Sequence, residues 1–312
     1  MEKPLVTVVI PTFNSADYLP ATLDSVLAQS YSYLDIVVVD DGSTDDTREV
    51  LSPYLDRIRY LKQDNWGGPS RPRNVAVAAA KGDLVAFFDS DDLMAPDKVA
   101  ASVEAFAAHP GLGLVFSNFR GIDEQGDVCI ADFLFRYRNF REGLLGGEGP
   151  VRILPAREAF SQLLRANFVG TSSVVCRKDV LDRVGPFDED MLNADDIDMW
   201  RRIAYAGYDF GFVDLILHEY RKRGGGVTAR GFKRYPALLR GLEKQLVLDL
   251  ELWEQNHIKD RIQTLEQEYG AALSRAGMHL EARRVFRRAL ARRPTIKGCL
   301  GLAKAVIRSC GR

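Results

Sequence analysis

Three aspartates follow an apolar run in the segment LVAFFDSDDLMAP, residues 84–96. Like charges this close repel one another, and burial drives each carboxyl group towards its neutral form, so a positive partner is expected beside them. Aspartates at positions i and i+2 can both reach one divalent cation, and their oxygens suit Mg²⁺ or Mn²⁺, which often bridge to phosphates. The pattern therefore predicts Asp89 and Asp91 as metal ligands, whereas Asp92 is equally well explained as the cap of a helix beginning near Pro96.

A second acidic segment, VVVDDGSTDDT, covers residues 37–47. Its later acids, Asp45 and Asp46, suit the first turn of a helix, where carboxylates complement the helix dipole. Asp40 and Asp41 come before that turn and could accept hydrogen bonds from a ribose or a base edge. Neither GxGxxG nor a GK[ST] loop follows the first predicted strand, which disfavours the dinucleotide-binding and P-loop folds.

Two further segments contain charged residues, and each set of charges has two possible roles. Asp195 and Asp196 in NADDIDMW could complement a helix dipole, or one of them could act as a general base beside a bound metal and diphosphate. Arg71 and Arg73 in GGPSRPRN could pair with phosphate or with the aspartates, although Arg71 could equally be an ordinary surface charge.

Alternating strand and helix patterns fill the first half of the chain and predict a parallel α/β sheet, in which ligands bind beyond the carboxyl ends of strands. Predicted strands cover residues 5–10, 36–40, 57–61, 84–89, 112–117, 168–176 and 211–221, and predicted helices cover 16–29, 44–54, 70–80, 96–108 and 155–166. Residues 129–152 are rich in Phe, Arg and Gly, which favours a mobile loop or lid.

The C-terminal region differs from the rest in pattern and charge. It is helical from about residue 235, and Gly270, Ala282, Phe286, Ala289 and Pro294 stand at the mutual offsets of a tetratricopeptide repeat. We therefore predict two domains, residues 1–230 and residues 231–312.

The net charge of −1 conceals a basic tail, because residues 275–312 contain 11 Lys or Arg and a single Glu. Arg284, Arg288 and Arg292 recur every fourth residue and form one helical stripe. This stripe could be a solvated face, could pair with the acidic body, or could contact an anionic membrane. Nucleic acid is a less favoured partner, because no aromatic residues are interleaved with the stripe.

Features of localisation are few. No apolar run approaches the roughly 20 residues needed to span a bilayer, and the N-terminus lacks the pattern of a signal peptide. The four cysteines are scattered without any CxxC spacing, which favours reduced thiols. These features predict a cytoplasmic protein, with peripheral contact at the inner face of the membrane as an additional hypothesis.

Six segments in order resemble family 2 glycosyltransferases of the GT-A fold: VVIPTFN, IVVVDDGSTDDT, NWGGPSRPRN, GDLVAFFDSDD, VGPFDED and ADDIDMWRRIAYAGYDF. The resemblance covers about residues 4–228. It implies a mostly parallel sheet with helices on both faces, followed here by a C-terminal helical region. It also implies metal-dependent, inverting transfer of a sugar from a nucleotide diphosphate donor, usually a UDP-sugar, to a glycan or lipid-linked acceptor.

The resemblance also assigns expected roles. Thr12 and Asn14 would lie near base and ribose, Asp41 would contact uracil, and Asp91 would take the metal-binding position. Asp196 would be the general base, with Asp195 in place of the usual Glu. The expected nucleotide-sugar residues are Pro11, Thr12, Asn14, Asp40, Asp41, Asp64, Gly68, Arg71, Asn74, Asp89 and Ser90.

One departure concerns YRKRGGGVT, residues 220–228. Many relatives carry a His here that can complete the metal sphere, whereas this chain has Arg223. We expect that His218 or a water replaces that ligand, or that Arg223 contacts the diphosphate directly. The aromatic-rich segment 132–145 would order over the donor and exclude water.

Two other functions remain as hypotheses. A nucleotidyltransferase would need a Gly- and Arg-rich loop after the first strand, and PTFNSADY is not one. A non-catalytic module that binds a nucleotide sugar or a partner is the alternative to an enzyme.

Overall fold

The structure is a computed structural model that describes residues 3–137, 150–224 and 231–310. The chain divides into two compact units, and each unit is described by itself. The first comprises Met1–Glu189 with Asp195–Gly224, and the second comprises Asp190–Ala194 with Gly225–Arg312. The domain bounds predicted from the sequence, 1–230 and 231–312, stay a prediction.

The first unit is built on one mixed sheet. Its strands are β1 (Val6–Thr12), β2 (Leu34–Asp40), β3 (Arg59–Lys62), β4 (Leu84–Phe87), β5 (Leu93–Met94), β6 (Leu112–Ile122), β7 (Val128–Ile130), β8 (Val151–Leu154), β9 (Val175–Arg177) and β10 (Asp209–Arg221). The order is β3-β2-β1-β4-β9-β6-β10-β5, with β7 on β6 and β8 on β10. The predicted α/β class is confirmed.

Strand register explains why polar side chains converge. β1 runs parallel to β2 and to β4, so that Thr12 pairs with Asp40 while Val9 pairs with Phe87. The carboxyl ends of these three strands therefore lie at one edge of the sheet, where ligands bind in folds of this kind.

Seven helices belong to the first unit among the described residues. They are α1 (Leu19–Leu27), α2 (Thr47–Val50), α3 (Ser70–Ala79), α4 (Lys98–Ala108), α5 (Ala156–Arg165), α6 (Lys178–Val184) and α7 (Asp195–Tyr205). All seven residues of β1 are buried, as expected of a strand covered on both faces. Val8 and Ile10 share a core with Leu19 and Leu23 of α1, and this packing fixes the end of β1.

Several predicted elements differ from the structure. The helix predicted at 44–54 is reduced to α2 and a 3₁₀ turn at Ser52–Tyr54, because Pro53 cannot donate the backbone hydrogen bond that a continuous helix needs. The strand predicted at 168–176 is mostly a loop with a 3₁₀ turn at Thr171–Ser173. Of the predicted lid, residues 138–149 lie outside the described residues, as do residues 225–228 of the glycine-rich segment.

The second unit is helical in its described part. Its helices are α8 (Tyr235–Glu243), α9 (Leu252–Arg275), α10 (His279–Arg292) and α11 (Ile296–Cys310). Gly270 of α9 faces Phe286 of α10 so closely that an added Cβ would lie 2.9 Å from the ring. Ala282 and Ala289 are buried on the same side of α10. The likeness to a tetratricopeptide repeat stays a prediction. No helix in the described ranges combines the length and hydropathy needed to cross a membrane.

Candidate active site

Arg73 of α3 joins the end of β4 to the start of α7. One terminal nitrogen of its guanidinium lies 2.7 Å from Asp195 Oδ2, and the other lies 2.8 Å from Asp89 Oδ1. The side chains of Arg73 and Asp195 are only 5% and 3% exposed, so this ion pair is shielded from water, whereas Asp89 is 33% exposed. Acidic segments that are far apart in the sequence therefore meet at one buried cation.

Burial sets the electrostatics around Arg73. It raises the pKa of Asp195 to about 6, and the neighbouring Asp196 carboxylate raises it too, while Arg73 opposes both effects. Burial alone would lower the pKa of Arg73, but the Asp195 and Asp89 carboxylates outweigh it and raise that pKa. The guanidinium is therefore a positive charge between two carboxylates, and it opposes the effect of burial on the pKa of Asp195.

Asp91 has a different cationic neighbour. Arg223 Nε lies 2.6 Å from Asp91 Oδ2, yet among the described residues this N–H has no aligned hydrogen-bond acceptor. The pKa of Asp91 is raised to about 6, because burial and the Asp89 carboxylate raise it more than the charge of Arg223 lowers it. The contact is thus a close charge pair without the geometry of a strong hydrogen bond.

Asp92 is fully buried and accepts the backbone N–H of Arg221 at 2.9 Å. Burial raises its pKa well above the usual range, and Asp91 and Asp89 add to that effect. The alternative that Asp92 caps a helix is wrong, because the residue before α4 is Asp97.

Tyr18 lies beside this acidic strand end. The guanidinium groups of Arg221 and Arg223 each lie over its ring, 5.3 Å from the centroid. Arg221 also donates from Nε to the backbone oxygen of Asp91. Two arginines and one aromatic ring thus surround the Asp91 backbone and carboxylate.

The two acids at the start of α7 have different environments. Asp195 is buried against Arg73, whereas Asp196 is partly exposed. Asp196 Oδ2 lies 3.2 Å from both Asn167 Nδ2 and Thr171 Oγ1, and its Oδ1 accepts the N–H of Ile197 at 2.7 Å. Asp196 is therefore the carboxylate that a substrate hydroxyl could reach.

The acids at the end of β2 are held by neutral donors. Asp40 accepts the Ser43 N–H at 2.8 Å and the Tyr60 hydroxyl at 2.7 Å. Asp41 accepts Gln63 Nε2 at 2.6 Å and the Trp66 N–H at 3.0 Å. These bonds shape the loop after β3 around the Asp41 carboxylate.

Other predicted nucleotide residues line the same edge. Pro11 and Thr12 are buried at the end of β1, and Thr12 Oγ1 has no partner among the described residues. Asn14 has φ of 48° and accepts the Thr44 N–H at 2.8 Å, which links the loops after β1 and β2. Ser90 Oγ lies 2.9 Å from Ser15 Oγ.

The remaining predicted residues form a second cluster around α3. Asn74 accepts the Phe187 N–H at 2.8 Å and donates to Glu189, so its amide is already occupied. Gly68 is buried and Asp64 is exposed. Arg71 is exposed and lies over the Trp66 ring at 4.6 Å, so Arg73, and not Arg71, makes the contacts with aspartates.

His218 lies in an aromatic cluster. Its ring stacks on Phe119 with a centroid distance of 4.5 Å, and it is 1% exposed. Burial and the nearby Lys98 lower its pKa well below the usual range. In the described part of the chain, no three His, Cys, Asp or Glu side chains are grouped as a metal site. The predicted set of Asp89, Asp91 and His218 is therefore not a preassembled ligand triad.

Sequence reasoning missed the residues that support the acids. Asn167 and Thr171 bind Asp196, and Ser172 Oγ accepts the Asp89 N–H at 3.1 Å. The polar triplet TSS inside an otherwise apolar predicted strand was a signal for this role. Phe13 was also missed, although a side chain 44% exposed directly after β1 is unusual for Phe.

Comparisons with known proteins show which sequences this chain resembles. Residues 7–153 match the family model described as glycosyl transferase family 2. An uncharacterized glycosyltransferase of Rickettsia felis is 30% identical over 71% of this chain, and the chain spans only 35% of that relative's length. An Escherichia coli protein named UDP-Glc:alpha-D-GlcNAc-diphosphoundecaprenol beta-1,3-glucosyltransferase WfaP is 26% identical over 73% of this chain and 82% of its own.

Solved structures show the same fold. S. aureus TarS 1–349 in complex with UDP-GlcNAc is similar with a TM-score of 0.65 and 19% identity, covering 97% of this chain and 89% of TarS 1–349. The mannosyltransferase PcManGT from Pyrobaculum calidifontis, in complex with GDP-Man and Mn²⁺, has a TM-score of 0.62 and 21% identity, covering 100% of this chain and 88% of its own. Residues 7–153 thus resemble glycosyl transferase family 2 in sequence, and the solved structures show a shared fold.

Proposed function

We propose that this chain is an inverting glycosyltransferase that moves a sugar from a nucleotide diphosphate donor to a hydroxyl group of a glycan or a lipid-linked acceptor. The Arg73 bridge carries the proposal, because it holds Asp89 and Asp195 on one buried guanidinium. This bridge keeps the acidic end of β4 next to the helix start that bears Asp196. UDP-sugars are the first donors to test, since one relative is named for UDP-Glc and TarS was solved in complex with UDP-GlcNAc.

The donor chemistry at the end of β4 fits a divalent cation. The Asp91 carboxylate is 15% exposed, and the N–H of its Arg223 neighbour is not aligned on it, so its oxygens can accept another cation. Asp91, with Asp89 beside it, would hold Mg²⁺ or Mn²⁺, and phosphate oxygens and water would complete the coordination. Such an ion, when bound, neutralises charge on the leaving diphosphate. His218 is left out of this set because its ring is enclosed by aromatic side chains.

Asp196 is proposed as the general base. Asn167 and Thr171 orient its Oδ2 while the carboxylate keeps partial exposure. The acceptor oxygen attacks the anomeric carbon from the face opposite the diphosphate, and its proton passes to Asp196. The bond between the anomeric carbon and the phosphate oxygen breaks, and its electron pair leaves with the diphosphate, which inverts the configuration.

The nucleoside would lie at the end of β1 and β2. Thr12 Oγ1, which has no partner in the described part of the chain, offers a hydrogen-bonding group at this edge, and the exposed Phe13 ring offers an apolar surface. Asp41, which is held by hydrogen bonds from Gln63 and Trp66, offers acceptor oxygens for a base edge. Base, ribose and diphosphate would thus run from β2 across β1 towards Asp91.

Release of nucleoside diphosphate from a panel of UDP- and GDP-sugars, with Mn²⁺ and a hydroxyl acceptor, tests the proposal. We expect turnover by the native chain and a loss of about 10²–10⁴-fold for Asp196→Asn, with donor binding retained, because only proton removal is lost. Asp182→Asn is the matched control, since its side chain is 60% exposed and pairs with the surface residue Lys178. Tight UDP binding without any turnover would favour a non-catalytic module, and full activity of Asp196→Asn would refute the assigned base.

A further inference from the structure

Helix α11 presents apolar side chains outward. Ile296, Leu300 and Ile307 are 83%, 57% and 71% exposed, and Cys299 and Ala303 on the same helix are exposed as well. At about 100° per residue, these five side chains fall within a stripe roughly 100° wide. We call these five residues the outer stripe. Apolar side chains exposed along one helix face often mark an interaction surface, so this stripe needs an explanation.

Close packing fixes the orientation of α11. Its opposite side carries Gly298, Gly301 and the fully buried Ala305. An added Cβ on Gly301 would lie 2.5 Å from the Phe286 ring, and one on Gly298 would lie 3.0 Å from the Leu290 side chain. Since only glycine permits this approach, α11 cannot rotate to bury the outer stripe against α10.

Positive charge flanks the outer stripe on one side. Lys297 and Lys304 are both exposed, and at about 100° per residue they lie next to Leu300 on the helix surface. Within the described ranges neither lysine forms an ion pair, and no Asp or Glu follows Glu281 in the sequence. The outer stripe is therefore an apolar surface with an uncompensated cationic border.

The arginines of α10 do not supply such a surface. Arg288 Nε lies 2.5 Å from the buried Glu266, and Arg292 contacts both Glu266 and Glu243. The sequence stripe of Arg284, Arg288 and Arg292 is thus largely engaged by acids of the same unit. Arg284 is exposed and forms no ion pair among the described residues, so both helices carry uncompensated charge, but on α11 this charge borders the outer stripe.

The charge pattern indicates which partner binds the outer stripe. A second copy docking on the outer stripe would bring the lysine border of each chain close to that of the other, which is repulsive. An anionic bilayer instead accepts apolar side chains at its interface and attracts the lysines beside them. We propose that the outer stripe of α11, with Lys297 and Lys304, docks this chain on the surface of an anionic lipid bilayer. This inference is independent of the proposed catalytic function.

Vesicle flotation with the full chain tests the proposal. Vesicles of phosphatidylcholine alone are compared with vesicles containing about one third phosphatidylglycerol, because charge attraction requires anionic lipid. We expect binding to the anionic vesicles and a fall of at least about tenfold for Ile296→Asp with Ile307→Asp, since both side chains would enter the interface. Lys297→Gln with Lys304→Gln should weaken binding and reduce its dependence on salt.

The matched control is Val247→Asp with Leu280→Asp, which changes two apolar side chains of the same unit that are 86% and 62% exposed but lie outside α11. This control should bind anionic vesicles as the native chain does. Equal binding by the native chain and the Ile296/Ile307 variant, or no preference for anionic lipid, would overturn the proposal. Light scattering that shows a dimer lost in the Ile296/Ile307 variant would overturn it in favour of a second copy. Soluble-acceptor turnover reports the catalytic unit separately, so failure of one proposal is distinguishable from failure of the other.

Discussion

The acidic ends of β2 and β4 lie at the same edge of the sheet but stabilise their carboxylates in different ways. Asp40 and Asp41 accept hydrogen bonds from a hydroxyl, an amide and backbone N–H groups, all of them neutral. Asp89 and Asp91 face the guanidinium groups of Arg73 and Arg223.

This difference indicates which carboxylates are fixed in place and which can change their cationic partner. Neutral donors from the surrounding loops fix a carboxylate and the local backbone together, so the backbone at the end of β2 is held rigidly. A carboxylate that is balanced by a cation can exchange that cation for another, provided that the first is loosely held. Asp91 meets this condition because the Arg223 N–H is not aligned on it, whereas Asp89 shares the well-aligned Arg73 with Asp195.

The largest effect is expected from Asp91→Asn compared with Asp41→Asn. On the proposed function, the first removes the charge that would hold a cation at the diphosphate, and it should lower turnover by about 10²–10³-fold at saturating donor. The second weakens the hydrogen bonds that hold the end of β2, where the nucleoside would bind, so the donor KM should rise about tenfold while turnover changes little. Steady-state release of nucleoside diphosphate measures both values. Equal losses of turnover in the two variants would remove the distinction between the strand ends.

A second comparison concerns the two arginines and the stability of the fold. Arg73→Met leaves Asp89 and Asp195 without their buried cation, and should lower the free energy of unfolding by about 3–5 kcal/mol. Arg223→Met should cost less than about 1 kcal/mol, because the Arg223 side chain is 25% exposed and its pairing is not well aligned. Urea unfolding of both variants measures the difference. If Arg223→Met proved as destabilising as Arg73→Met, Asp91 would not be free to change partners.

The smallest effect concerns Lys98, a buried group that has neither an anionic partner nor a neutral hydrogen-bond partner among the described residues. Burial lowers its pKa from 10.5 to about 7, and its Nζ has no hydrogen-bond partner in the described chain. Because the unfolded chain keeps this proton up to higher pH, stability should rise as pH increases from about 7 towards 10.5 and be lost as pH falls to about 7.

Lys98→Met removes this dependence. The native chain should gain about 1–2 kcal/mol between pH 7 and 9 relative to the variant, as measured by urea midpoints at both pH values. Lys81→Met, at an exposed lysine, is the control and should follow the native chain. A slope retained in Lys98→Met would show that other groups cause it.

The main strands were predictable because they are long, apolar runs bounded by polar residues. β5 and β8, with two and four residues, were not predicted, since their pairing with β10 depends on contacts that are distant in sequence. The predicted strand at 168–176 fails for a similar reason: the side chains of Thr171 and Ser172 are used to bind acids.

For the site, sequence order indicated which acids lie at strand ends but not which cation each acid meets. The choice between Arg71 and Arg73 depends on the face of α3 that packs against the sheet, and two residues of spacing turn a helix by about 200°. Likewise, Asp195 and Asp196 are adjacent, and only the packing of α7 makes the first buried and the second accessible.

The ring of Tyr18 has a consequence for Arg223. Since the guanidinium rests on an aromatic face as well as beside Asp91, departure of the carboxylate would leave it tethered to that face. Arg221 contacts the same ring at the same distance of 5.3 Å, so both arginines share Tyr18. Because Arg223 already rests on the ring, it would lose little further rotational freedom on binding an anion, which lowers the entropic cost of that binding.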